Sequence, residues 1–258
     1  MKKLSFIIML FVFSCQNGID IDTSRLTATD PIADITYLND IFYTTNLDLS
    51  GNSGPQIDLF LFDLDANPIN RFELPLNGQG YLAACNDGSN LYFQPRFTDY
   101  IFMSTLLGEI YWFQSDNFPD NTADTTSTFM YWRGRGLAWS DTKLVVLYRH
   151  YNDSTLYRGR YLQVNNDTLQ TILDTTITWN HLDNYGAYAM EYNPDTQGFW
   201  VLATDTLNQN ILFEVDYYFQ NPDDIHVLDG NPMGITLGPS SMLYLSYLER
   251  EIVEFIPD

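Results

Sequence analysis

The sequence predicts an all-β protein built as a β-propeller, with five blades and with six as the alternative. The first observation is a repeat: a strand opens at a small or apolar residue, turns through Gly, Asp, Asn or Ser, and returns as a second apolar strand. Its clearest copy opens at Gly234, and the others open about 50 residues apart, at Ile32, Leu82, Gly136 and Ala189. A period of this length with several strands per unit is typical of propellers.

Two further observations come from within the repeats. Short runs rich in aromatic and β-branched residues alternate with turn-forming residues, as strands and hairpins do. No window of a dozen residues keeps the apolar spacing of a helix without a Gly, Pro or Asn-Asp interruption, so we expect almost no helix. The strands predicted in the first and third repeats are 41–47, 57–64, 69–76, 137–139, 144–151, 156–164 and 169–173.

The last repeat is short, since it offers three strands where a blade normally has four. These strands are 234–237, 242–247 and 251–256. A blade of three strands leaves a free edge, and we expect residues 21–29 to complete it. The alternative of six blades depends on residues 98–113 and 128–132, which hold more strand material than the second repeat needs.

The N-terminus has the pattern of a processing signal. Lys2 and Lys3 precede an apolar run over 4–13 that is too short to span a bilayer, and Ser14 and Cys15 follow directly. This segment resembles the signal of bacterial lipoproteins. The resemblance implies cleavage before Cys15 and a lipid on Cys15, whereas an ordinary secretory signal would leave Cys15 without a role.

The chain then divides into a signal peptide (1–14), a tether that can supply the closing strand (15–30) and a propeller domain (31–258). The resemblance implies a protein anchored by lipid at the bacterial cell envelope, in the outer membrane, with the periplasmic or outward-facing side left open. Cys15 and Cys85 are the only cysteines. We expect no disulfide, because Cys15 carries the lipid and Cys85 lies in a strand among alanines.

Charge and histidine content exclude two classes of partner. The 258 residues carry 33 Asp and Glu against 12 Lys and Arg, a formal charge of −21, which repels phosphate backbones. We therefore expect no nucleic-acid partner. His150, His181 and His226 lie in different repeats without the spacing of metal ligands, so we expect neither a metal nor a cofactor.

The strand openings Gly136-Leu-Ala-Trp and Gly234-Ile-Thr-Leu resemble the repeats of gluconolactonase-like and NHL-repeat propellers. In gluconolactonases the resemblance would imply a divalent cation in the channel, held by a Glu near the first strand. Residues 29–32 read Thr-Asp-Pro-Ile and contain no Glu. We therefore do not expect this metal site.

A second resemblance concerns Asp30-Pro31-Ile32, followed by Ile41-Phe-Tyr, which is similar to the opening of five-bladed arabinofuranosidases and xylosidases. It implies Asp30 as a catalytic base. Such enzymes also need an acid to protonate the leaving oxygen, and Glu191 on an inner strand is the candidate. The alternative function is therefore a glycoside hydrolase acting on pentose-containing oligosaccharides; otherwise Asp30 belongs to a turn and Glu191 is a hydrated charge.

The main prediction is a binding or interaction module rather than an enzyme. Arg133 and Arg135 precede an inner strand in a chain with few cations, and they could bind a carboxylate or a phosphate at a channel mouth. Trp112, Trp179 and Tyr185 are predicted as exposed rim aromatics that stack on sugars or peptides. The expected partners are the membrane, through the lipid, and a protein or carbohydrate ligand. A structural subunit of an envelope complex is a further alternative.

Overall fold

A computed structural model describes residues 32–46, 56–77, 82–95, 100–106, 110–114, 132–150, 152–165, 168–249 and 251–256. These residues form nineteen strands and one three-residue 3₁₀ turn. Among them, no helix has the length and hydropathy of a membrane-spanning helix. The strands assemble into five small antiparallel sheets. The protein is almost entirely β, as the sequence predicts.

The strands of the first blade are β1 (Ile32–Leu38), β2 (Ile41–Asn46), β3 (Gln56–Phe62) and β4 (Pro68–Asn77). Those of the second are β5 (Leu82–Asn86), β6 (Asn90–Pro95), β7 (Tyr100–Thr105) and β8 (Ile110–Gln114). Those of the third are β9 (Trp132–Ser140), β10 (Lys143–His150), β11 (Leu156–Asn165) and β12 (Thr168–Thr178). Those of the fourth are β13 (Leu182–Asn193), β14 (Gly198–Asp205), β15 (Asn210–Val215) and β16 (Asp223–Leu228). Those of the fifth are β17 (Pro232–Leu237), β18 (Leu243–Tyr247) and β19 (Ile252–Phe255).

Each blade is a simple meander whose first strand is the innermost. Neighbouring strands of every sheet are consecutive in the chain. The innermost strands β1, β5, β9, β13 and β17 contact one another in that order, and β17 returns to contact β1. The five sheets therefore close into a five-bladed propeller, which confirms that prediction. Of the residues considered for a sixth blade, the described part of 98–113 forms β7 and most of β8, the outer strands of the second blade, Trp132 opens β9, and 128–131 lie outside the described ranges.

The inner strands come close together at one height along the axis of the ring, and we call this height the narrow level. Register shifts mark a bulge in β1, β9, β13 and β17 near their starts. Just beyond the bulge, small residues allow close approach: a Cβ on Gly136 would lie 2.7 Å from the Cβ of Met190, and one on Gly234 would lie 2.6 Å from the Cα of Asp34. Real Cβ atoms do not come so close, so this level of the ring admits only the smallest side chains on β9 and β17.

The core consists of the layers between adjacent blades. The largest described layer lies between the third and fourth blades and is rich in aromatic rings. Phe199 and Phe219 stack there with centroids 4.8 Å apart and an interplanar angle of 7°. Burial of each such side chain contributes about 1.5–3 kcal/mol to the free energy of folding.

Three hairpins turn through the same five-residue loop, which begins with Asp at Asp63, Asp205 and Asp216. In each, the first carboxylate oxygen accepts hydrogen bonds of 2.8–3.0 Å from the backbone amides of the third and fifth loop residues. The fourth residue, Ala66, Asn208 or Phe219, has φ near +60°. Part of the acidic composition therefore fixes turns, because a short Asp side chain can satisfy loop amides.

The first and last blades join through inner-strand contacts and a buried hydrogen bond. The hydroxyl of Ser246 on β18 donates to the carbonyl of Ala33 on β1 at 2.8 Å. Within the described residues the fifth blade has three strands. Residues 21–29, predicted to supply the fourth, lie outside the described ranges, so the closing strand stays a prediction.

Candidate functional site

Asp34 lies where the inner strands converge and is fully buried. Its Oδ1 accepts a hydrogen bond from the amide of Ile35 at 2.9 Å, and its Oδ2 accepts one from the amide of Ala84 on β5 at 2.9 Å. The amide of Ile235 on β17 also hydrogen-bonds to it. One carboxyl group thus links the first, second and fifth blades.

Burial has the largest effect on the pKa of this carboxyl group. It raises the pKa of Asp34 well above the ordinary value of 3.8, although the backbone hydrogen bonds act in the opposite direction, and the nearby charge of Glu191 raises the pKa further. Desolvation disfavours the charged form of a carboxyl group in this way. Asp34 therefore serves to hold the ring together.

Glu191 occupies a similar position between the fourth and fifth blades. Its Oε1 accepts a hydrogen bond from the amide of Tyr192 at 2.9 Å, and the hydroxyl of Thr236 and the amide of Leu237 also hydrogen-bond to the carboxyl group. Burial raises the pKa of Glu191 to about 7. These partners come from β13 and β17, so the carboxyl group is held by the fold and is not a freely hydrated charge.

The proposed catalytic pair cannot be assembled from the described residues. Asp30 lies outside them, and the pairing of Asp30 with Glu191 therefore stays a prediction. Cys85 is 2% exposed, and burial, followed by the charges of Glu191 and Asp34, raises the pKa of its thiol. A thiol kept protonated is a poor nucleophile. Within the described ranges, no group of three His, Cys, Asp or Glu side chains could hold a metal ion.

Arg133 and Arg135 lie within the inner strand β9, because that strand begins at Trp132 and not after them. Arg135 is at the bulge and is 5% exposed. Arg133 is half-buried and lies directly opposite Arg149 of β10, which is 7% exposed. All three take part in further contacts. Like charges placed directly opposite each other on a sheet repel, and an anion near both guanidinium groups reduces this repulsion.

The same blade carries Lys143 on β10 and two more arginines on β11, so six of the 12 Lys and Arg of the chain lie on three adjacent strands. The Nε atoms of Arg158 and Arg160 lie 2.5 and 3.3 Å from the two carboxylate oxygens of Asp174. These two have their counter-ion on β12. The arginines nearer the centre, on β9 and β10, form the candidate site.

Gln94 on β6, which the sequence did not single out, lies against the opposite face of β9 from Arg133, because side chains alternate along a strand and its carboxamide fills the Cβ position of Gly134. Its side chain is 1% exposed, and within the described part of the chain neither Oε1 nor Nε2 has a hydrogen-bond partner. The carboxamide lies against Gly134, between Arg133 and Arg135 in sequence, so closely that a Cβ on Gly134 would be 2.6–2.9 Å from its Cδ, Oε1 and Nε2 atoms. A buried amide without partners is rare in native proteins.

Of the three aromatic residues predicted at the rim, Trp179 is the one whose side chain the structure describes. Trp179 is 2% exposed, its ring lies 4.7 Å from that of Tyr157, and its indole N–H donates to the carbonyl of Phe219 at 3.3 Å. The prediction of an exposed Trp179 is therefore wrong, because the loop carrying Phe219 covers it. Tyr185 lies in β13 and Trp112 in β8, but their side chains are outside the described part, so their roles stay predictions.

Comparison with known proteins supports the fold. No family model and no curated protein matches the chain. A solved structure of a protein of unknown function from Bacteroides thetaiotaomicron has a TM-score of 0.51 and 10% identity, and the match covers 87% of this chain and 57% of that one.

Two other solved structures are similar at lower TM-scores. A catalytically inactive virginiamycin B lyase from Staphylococcus aureus has a TM-score of 0.44 and 16% identity, with 90% of this chain and 72% of that chain covered. An auxiliary nutrient binding protein from Bacteroides thetaiotaomicron has a TM-score of 0.46 and 10% identity, with 86% and 59% covered. At 10% identity, the likeness with a TM-score of 0.51 concerns the fold alone.

Proposed function

We propose that the protein is an exported β-propeller, anchored at the cell envelope through a lipid on Cys15, that binds a hydroxylated carboxylate such as a sugar acid. The proposed binding site lies at the start of β9 and is formed by Arg133, Arg149 and Arg135. The observation that carries this proposal is the direct pairing of Arg133 with Arg149, which places two guanidinium groups on one face of the third blade.

The chemistry of these groups specifies the class of ligand. Guanidinium groups donate hydrogen bonds in a planar fork, which a carboxylate accepts with both of its oxygens. A sugar acid carries such a carboxylate together with hydroxyl groups that can pair with neighbouring polar groups.

Isothermal titration calorimetry on the mature chain, from Cys15 or a soluble equivalent from Gln16, tests the site. The probes are glucuronate and galacturonate, with glucose and galactose as neutral controls. We expect the uronates to bind and the hexoses to bind at least about tenfold more weakly, which corresponds to about 1.4 kcal/mol. Arg133→Gln and Arg149→Gln should each weaken uronate binding at least about tenfold, and Arg71→Gln, on the first blade, should not. Uronate binding that both substitutions leave unchanged would overturn the proposed site.

The anchor is tested separately by membrane fractionation. The chains of a lipoprotein cysteine hold a protein firmly at a membrane, whereas a single acyl chain binds marginally. We therefore expect Cys15→Ala to move the protein into the soluble fraction. Retention of this variant in the membrane fraction would contradict the lipid anchor without affecting the ligand site.

A further inference from the structure

A second depression lies on the perimeter, between the third and fourth blades. It is formed by the end of β12, the turn into β13, and the loop between β15 and β16, and its volume is about 320 Å³. This is at the lower end of the range of about 300–1,000 Å³ for small-molecule sites. The depression shares no lining residue with Arg133, Arg135 or Arg149, so it is distinct from the arginine site.

The floor of the depression is fixed by two buried aromatic residues, Trp179 and Phe219. The ring of Phe219 lies against Gly159 of β11 and leaves no room there for a Cβ. Its carbonyl accepts the indole N–H of Trp179 at 3.3 Å. Because Asp216 also holds this loop through bonds to Tyr218 and Gln220, the floor is formed before any ligand arrives.

The walls are polar but carry no formal charge. Asn180, Gln220 and Asn221 are exposed and line the depression with their side chains or backbone. The ring of His181 contacts Phe213 edge-on, with centroids 5.2 Å apart, and burial lowers its pKa. The Nε2 atom of His181 is buried and has no hydrogen-bond partner in the described part of the chain. Neutral groups that both donate and accept therefore surround the floor.

We propose that this depression binds the ring of a neutral sugar. Hydroxyl groups both donate and accept hydrogen bonds, as do carboxamides and a neutral imidazole, so each wall group can pair with a sugar hydroxyl. A sugar ring also presents apolar C–H groups, which match the edges of Ile177 and Phe219 in the floor. This site is independent of the arginine site, because it uses other residues and a ligand of different charge.

Saturation-transfer NMR tests the proposal, with neutral pentose and hexose oligosaccharides as probes. We expect transfer to the sugar protons with the unaltered protein, and loss of at least tenfold in affinity in the Asn180→Ala/Gln220→Ala double variant. Gln170→Ala is the matched control, because Gln170 is an exposed carboxamide on β12 outside the depression. This control should bind as the unaltered protein does.

Both wall substitutions are at exposed positions, so the double variant should fold normally, and circular dichroism can verify this. The Arg133→Gln variant should still bind neutral sugars, which separates a failure here from a failure of the arginine site. Absence of transfer to every sugar of the panel, or equal transfer in the double variant and in Gln170→Ala, would overturn the proposal.

Discussion

Replacing Glu191 by Gln should remove a pH dependence of stability that the buried carboxyl group creates. In the folded protein, burial raises the pKa of Glu191 from its ordinary value of 4.5 to about 7. Between these two values the folded state holds a proton that the unfolded state has released. The free energy of unfolding therefore falls as the pH rises from about 4.5 to about 7, and this contribution is constant outside that window.

The size of the effect follows from the shift in pKa. One pKa unit corresponds to about 1.36 kcal/mol, so the full shift gives about 3 kcal/mol. The carboxyl group of Glu191 is buried, although the residue as a whole is partly exposed, and this solvent access reduces the contribution to about 2 kcal/mol. In a protein of this size 1 kcal/mol shifts the Tm by about 2–4 °C, so we expect a fall of roughly 4–8 °C across the window.

Thermal unfolding followed by circular dichroism from pH 4 to pH 8 measures the effect. Asp34 also has a raised pKa and contributes in the same direction, so the informative quantity is the difference between the unaltered protein and Glu191→Gln. This difference should grow in favour of the variant as the pH rises. Glu254→Gln, at an exposed position, is the matched control. Parallel Tm curves for the unaltered protein and Glu191→Gln would refute the reasoning.

Three further predictions concern the ring and its mouth. Gly234→Ala should destabilise the protein by about 1–3 kcal/mol, because its Cβ would lie 2.6 Å from the Cα of Asp34; an unchanged urea midpoint would contradict this. Gln94→Met should raise the Tm of the ligand-free protein, because it replaces a buried, unpaired amide by an apolar group of similar shape; a lower Tm would count against this. A chain beginning at Asp30 should have a free energy of unfolding several kcal/mol lower than a chain beginning at Gln16, because each lost backbone hydrogen bond costs about 0.5–1.5 kcal/mol. Equal Tm values for the two chains would show that the ring closes without residues 21–29.

The repeat in the sequence predicts the architecture well but misplaces its register in the first copy. Gly136, Ala189 and Gly234 occupy the narrow level of the ring, as their alignment predicts. In the first copy Ile32 was aligned with them, whereas Asp34 is the residue against which Gly234 lies. Asp34 stands where other repeats have Gly or Ala, and this difference could have indicated the correct alignment. The apolar side chain of Ile32 resembled the start of a repeat and led to the wrong alignment.

Strand ends were predicted less well where polar residues continue a strand. The last strand of the third blade was predicted to end at residue 173, but β12 continues to Thr178. Its outer face is exposed to solvent, so alternate positions can be polar. Similarly, Arg133 and Arg135 were read as preceding the inner strand, although both belong to β9.

The site residues that sequence reading missed depend on contacts between distant parts of the chain. Trp179 is covered by Phe219, which lies 40 residues away. Gln94 is buried against Gly134 of the next blade, and nothing adjacent in sequence indicates this. Local patterns report which face of a strand is apolar, but not which loop covers it.

The position of Asp34 constrains the order in which the protein can finish folding. A ribosome releases the first blade early and the fifth blade last. Until β17 docks, the carboxyl group of Asp34 lacks the amide of Ile235 and remains open to water. Docking of the C-terminal blade therefore buries this carboxyl group, adds the hydrogen bond from Ile235 and closes the ring of inner strands. We expect a nascent chain that stops after the fourth blade to keep this carboxyl group hydrated.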